Sequence, residues 1–116
     1  MKDNEIYITY KDKKYTIVFD INVIETLQVK YGSFNKWVDL IQPTDGSECN
    51  LEALKFGFCE ALNEGIDIYN EDNEDKLQPF TLKQIGRIIT EIGLKNVNSK
   101  MQEAVIESSK SEEKNA

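Results

Sequence analysis

The stretch YITYKDKKYTIVFDINVIETLQVKYGSFNKWVDLI, residues 7–41, decides the fold because its hydrophobic period changes part-way along. At its start Ile6, Ile8 and Tyr10 alternate with polar residues, Tyr15, Ile17 and Phe19 do the same, and KDK between them can turn. Period two on both sides of a short polar break predicts a β-hairpin over 6–19. A hairpin alone is marginal in water, so its apolar face needs helices to rest on. From Asp20 the period becomes helical. Asp20 is a ready N-cap, Val23, Ile24, Leu27 and Tyr31 form one stripe, and Gly32 ends it. Ser33 caps a second helix in which Phe34, Trp37, Val38 and Ile41 recur at i, i+3, i+4 and i+7.

Working outward, QPTDGSECN with Pro43 and Gly46 reads as a loop that ends on Asn50 as a cap. Leu51, Leu54, Phe58, Ala61 and Leu62 then line one side of a third helix, with Gly65 as its expected terminator. Phe56 falls among Glu52, Glu60 and Asn63, on the face expected to be wet, about 100° of helix turn per residue deciding the placement. IDIYNEDNEDKLQP reads as a long acidic connection. Thr81 with Gln84 is a capping box for a helix carrying Leu82, Ile85, Ile89 and Ile92 that ends at Gly93. Ser99 with Gln102 offers a second box in a last helix whose stripe is Val97, Met101, Ala104 and Val105. SKSEEKNA has almost no apolar content. The expectation is a mainly α protein: one helical domain, residues 1–109, of four to five short helices with an N-terminal hairpin, and a disordered acidic tail at 110–116.

At 116 residues the chain suits one core. Fourteen Lys and Arg against 21 Asp and Glu leave a net charge of −7, which repels a phosphate backbone and argues against nucleic acid as a partner. The helices between Thr81 and Ser109 invite comparison with a helix-turn-helix, but the second offers only Lys95 and Lys100. No apolar run approaches the roughly 20 residues of a membrane span, and MKDNE lacks the apolar core of a secretory signal, so a soluble cytoplasmic protein with no membrane partner is expected. Cys49 and Cys59 are too few for a disulfide framework.

Chemistry-bearing patterns are sparse. The run DIYNEDNEDK is acidic enough to consider Ca²⁺, but counted from Asn70 the turn glycine is Asp75 and the bidentate glutamate is Thr81, so neither metal nor cofactor is expected. The chain has no His, and no nucleophile elbow or phosphate loop. An enzyme is not expected. What remains is contact: Tyr31, Phe34 and Trp37 form an aromatic stripe that reads either as core or as a recognition patch, and Phe56 lies off the core stripe. These four residues are the candidate partner-binding site.

The order of hairpin, FDINVIETLQVKYGSFNKWVDLI, LEALKFGFCEALNEG, TLKQIGRIITEIG and a charged final helix resembles the tail assembly chaperones of long-tailed phages and prophages of Gram-positive hosts, most closely those of lactococcal siphophages. The resemblance covers nearly the whole chain and rests on layout, size and acidity. It implies a non-enzymatic viral protein of the host cytoplasm that holds the long, aggregation-prone tape measure protein soluble during tail assembly, with the tail tube protein a further partner and self-association expected. An acidic inhibitor or DNA mimic filling a basic cleft on a partner is the other reading the charge permits.

Overall fold

A computed structural model of the chain describes residues 5–115, with side chains through Ser108. Strands β1 (Tyr7–Tyr10) and β2 (Lys13–Thr16) pair antiparallel with Ile8 opposite Tyr15 and Tyr10 opposite Lys13. The two-residue link is Lys11-Asp12, both at positive φ (50° and 66°). That conformation matches the twist of a tight hairpin, and here it is held without the glycine that usually relieves it. As the alternation predicted, Ile8, Ile17 and Phe19 are buried on one face, with Ile6, Tyr10 and Tyr15 packed beside them.

Helix α1 (Ile21–Tyr31) begins where the Asp20 side chain accepts from Val23 N–H, and stops at Gly32 (φ 95°), whose N–H bonds Gln28 C=O. Ser33 then caps α2 (Phe34–Ile41) through Lys36 N–H, and Asn50 caps α3 (Leu51–Asp72) through Ala53 N–H. The Thr81/Gln84 capping box is formed on both sides at the head of α4 (Leu82–Ile92). Each cap satisfies a helix N–H that lacks an intrahelical partner. Gly93 (φ 105°) ends α4 by bonding Ile89 C=O, while its own carbonyl accepts from Val97 at the start of α5 (Leu94–Asn115). One residue thus turns one helix into the next.

Several expectations are corrected. Gly65 does not end α3: the helix continues to Asp72, so half of the expected acidic loop is helical. Its backbone is not at positive φ. It serves instead as the last of four small residues, Ala53, Gly57, Ala61 and Gly65, spaced four apart so that they share a face. The Trp37 ring lies against Gly57, and Thr16 C=O against Gly65. Val18 N–H donates to Ala61 C=O at 3.3 Å. Along this flat strip α2 and the hairpin both reach the backbone of the central helix. Leu51 and Leu82, expected in core stripes, sit in first turns and are 60% and 46% exposed. Ser99 caps nothing, because α5 has already begun at Leu94. The backbone of α5 continues as helix through the stretch 110–115 expected to be a tail; the side chains of 109–116 lie outside the described residues.

The connection from Asn73 to Thr81 is tied down by asparagines two turns apart on α3. Asn63 accepts from Phe80 N–H (2.8 Å) and donates to Phe80 C=O (3.0 Å); Asn70 does the same with Leu77 (2.8 and 3.0 Å). Each amide thereby replaces the strand partner the connector lacks. Lys76 Nζ caps the last turn of α3 by donating to Asn70 and Asn73 carbonyls, where a cation also complements the helix dipole. Phe80, so held, receives the edges of Tyr10 and Tyr15 at 6.3 and 4.9 Å and anchors the hairpin tip. Among the described residues no polar side chain is buried.

Candidate functional site

The four predicted contact residues pair two by two. Trp37 is fully buried, its Nε1 donating to Ala53 C=O at 2.9 Å, and Phe34 stacks on it with centroids 5.5 Å apart while both meet Phe19. As a surface contact Trp37 is therefore corrected: the indole joins α2 to α3, with only an edge reaching the groove described below. A large ring needs space, and Gly57 supplies it.

Tyr31 and Phe56 form the second pair, edge to face at 6.1 Å. Phe56 is off the core stripe as expected, yet half-buried, because the end of α1 folds over it: Lys30 Nζ lies 4.8 Å from its centroid and forms an ion pair with Glu52 at 3.5 Å. Tyr31 Oη donates to Glu52 at 3.1 Å. Burial, then the adjacent Glu52 carboxylate, pushes the Tyr31 phenol up to about 12. The expected wet face is thus roofed by a cation and a phenol, leaving Phe56 only partly accessible.

The open apolar surface lies elsewhere. Between α2 and α5 runs a groove of about 150 Å³ with Trp37 and Met101 at its floor and Val38, Ile41, Val105, Ile106, Gln42 and Gln102 around them. At the Gln42 end it is closed, since Asn98 donates to Ile41 C=O (3.0 Å) and accepts from Gln42 (3.3 Å). Ile106, 53% exposed, marks the other end. Among the described residues no charged side chain lines it. The helical period of α2 and α5 places Val38, Ile41, Met101 and Val105 in core stripes and leaves Ile106 off them. The signal was present as an apolar residue directly after Val105, giving α5 an apolar face wider than one core stripe.

A second cleft, about 170 Å³, lies between the start of α1 and the middle of α3 and is polar: Asn22, Thr26, Glu60, Asn63, Glu64 and Asp67 line it. Asn22 donates to Glu64 at 3.1 Å. A hydrogen bond with the Asp20 carboxyl, followed by desolvation, holds Glu64 above the ordinary glutamate range. Among the described residues no group of three or more His, Cys, Asp or Glu side chains is arranged to hold a metal ion. Both thiols are free, and burial raises their pKa, which disfavours the thiolate. Among the described residues no helix is long and apolar enough to cross a membrane.

Comparison of the chain with protein-family models, curated proteins and solved structures finds no match.

Proposed function

We propose that this protein is a phage tail assembly chaperone that binds apolar helical segments of the tape measure protein and keeps them soluble while the tail is built. The observation that supports it best is the α2/α5 groove: an apolar, uncharged trough in a chain of net charge −7. An apolar trough of this kind takes the apolar face of an amphipathic helix, read at i, i+3, i+4 and i+7. The surrounding charge keeps the complex in solution. The layout of hairpin, short helices and acidic surface that resembles the tail assembly chaperones agrees with this role, which requires contact rather than catalysis.

Covering the exposed half of Ile106 on binding recovers about 1 kcal/mol, so one groove gives modest affinity and easy release. Several copies acting along one client helix then make up the hold. Coexpression with a fragment of a tape measure protein from a long-tailed phage tests the proposal. Wild type should move the fragment from the pellet to the supernatant, and Ile106→Lys, whose circular dichroism should match wild type, should not. Failure of wild type to rescue the fragment at any ratio would refute the chaperone role.

A further inference from the structure

The groove has a charge pattern at its margins as well as an apolar floor. Trp37, Val38 and Asp39 on α2, and Met101, Gln102 and Glu103 on α5, make the same progression. The first residue of each is fully buried, the second lines the groove, and the third is exposed. At about 100° per residue, Asp39 and Glu103 sit one step further out than the walls, on the solvent shoulders of the two helices. Among the described side chains the nearest lysines along these helices are turned elsewhere: the Lys36 stem lies toward Gly32, and Lys100 Nζ lies 5.6 Å from the Tyr7 ring. Among the described residues an uncharged trough therefore runs between two acidic shoulders.

We propose that the groove selects a basic amphipathic helix, one whose apolar stripe is flanked on both sides by Lys or Arg. This rests on the groove being the client surface proposed above and adds the chemistry of the client. The apolar stripe meets Val38, Ile41, Val105 and Ile106, and the flanking cations meet Asp39 on one side and Glu103 on the other. The shoulder pairs are solvent-exposed, so they set orientation and preference while apolar burial holds the helix. An acidic-flanked helix of equal hydrophobicity is rejected by repulsion at both shoulders.

The test uses the full chain and synthetic helical peptides of about 18 residues, five turns, sharing one Leu/Ile stripe and flanked by Lys, Gln or Glu. Trp37 is the sole tryptophan and edges the groove, so its fluorescence reports binding. At low ionic strength the Lys-flanked peptide should bind about tenfold more tightly than the Glu-flanked one, the gap closing to about threefold or less at 1 M salt. The double variant Asp39→Lys/Glu103→Lys should invert the order, and Ile106→Lys should weaken all three peptides. Equal affinity for the Lys and Glu peptides at low salt, or an order unchanged in the double variant, overturns the charge preference while leaving the groove a helix site. Absence of binding by every peptide, with sedimentation showing a dimer that Ile106→Lys dissociates, makes a second copy the occupant and overturns both.

Discussion

Adding one methyl group at each of three helical glycines should change stability with opposite signs. Gly57, Gly65 and Gly86 all sit inside helices, where replacing Gly by Ala gains about 0.5–1 kcal/mol from backbone entropy alone. A Cβ on Gly86 meets only Lys55 Cδ at 3.5 Å, an ordinary contact, so Gly86→Ala should keep that gain. A Cβ on Gly57 would stand 2.7 Å from Trp37 Cε2 and 2.8 Å from Nε1. The ring cannot yield freely, because Phe34 and Phe19 pack on it and its N–H is bonded to Ala53. Overpacking of this kind costs about 1–3 kcal/mol, and losing the indole hydrogen bond about 1 more. After the propensity gain, Gly57→Ala should be destabilised by about 1–3 kcal/mol. Gly65→Ala should be at least as costly, since its obstacle is the Thr16 carbonyl, backbone that moves only if the hairpin lifts. Urea unfolding followed by circular dichroism at 222 nm measures all three. Gly57→Ala or Gly65→Ala at or above wild-type stability would refute the account of α3 as a close-approach strip.

Glu64→Gln should stabilise the fold at pH 7–8 and lose that advantage near pH 4. The folded pKa of Glu64 is raised, so its favourable contribution exists below the unfolded value and is lost as pH rises through the folded one; Tm against pH for both proteins measures it, and parallel curves would refute it. Asn63→Ala should lose both Phe80 backbone bonds, lower stability by about 1–3 kcal/mol and open the connector to trypsin at Lys76, an effect limited proteolysis reads directly. Spectrophotometric titration should find the Tyr31 phenol ionising near 12 and Glu52→Gln should lower it, because part of the shift comes from that carboxylate; an unchanged titration would place the cause elsewhere. Leu54→Asp should unfold the chain by putting a charge at a fully buried site. Phe56→Asp should cost less, and a Phe56→Asp chain that is also unfolded would mean its half-burial understates its packing.

Local signals were legible where the physics is local. Asp20, Ser33, Asn50 and Thr81 are caps because a short side-chain oxygen reaches an amide two or three residues on, whatever the rest of the chain does. The hairpin faces follow from period two, and Gly32 and Gly93 end helices at positive φ. Gly65 deceived because a glycine after a helical stripe has two uses, chain reversal and close approach. Only Thr16, 49 positions earlier, decides between them. Asn63 and Asn70 gave no warning either, since their bidentate partners at Phe80 and Leu77 are backbone groups with no sequence signature.

The candidate site differs for a related reason. The stripe 31, 34, 37 and Phe56 offer aromatic contacts in sequence, yet aromatic rings lose the most by staying wet, and the fold covers each of them in part or in full: Trp37 with α3, Phe34 with Trp37, Phe56 with Tyr31 and Lys30. The apolar walls of the α2/α5 groove are aliphatic: Val38, Ile41, Val105 and Ile106. On α5, Val105 and Ile106 stand about 40° and 140° round from Met101, so one helix can bury the first beside the core and still present the second to solvent. That division depends on where α2 lies, which the sequence of α5 does not contain. If a helical client fills the gap, Val105 and Ile106 become parts of a single buried face, and the width of the stripe on α5 is explained by a partner rather than by the monomer. Ile106→Lys separates the two accounts: it should leave the monomer's unfolding free energy within about 0.5 kcal/mol of wild type, as surface substitutions do, while removing peptide binding. A large loss of monomer stability would instead mean that Ile106 belongs to the core and that the groove is its unfilled edge.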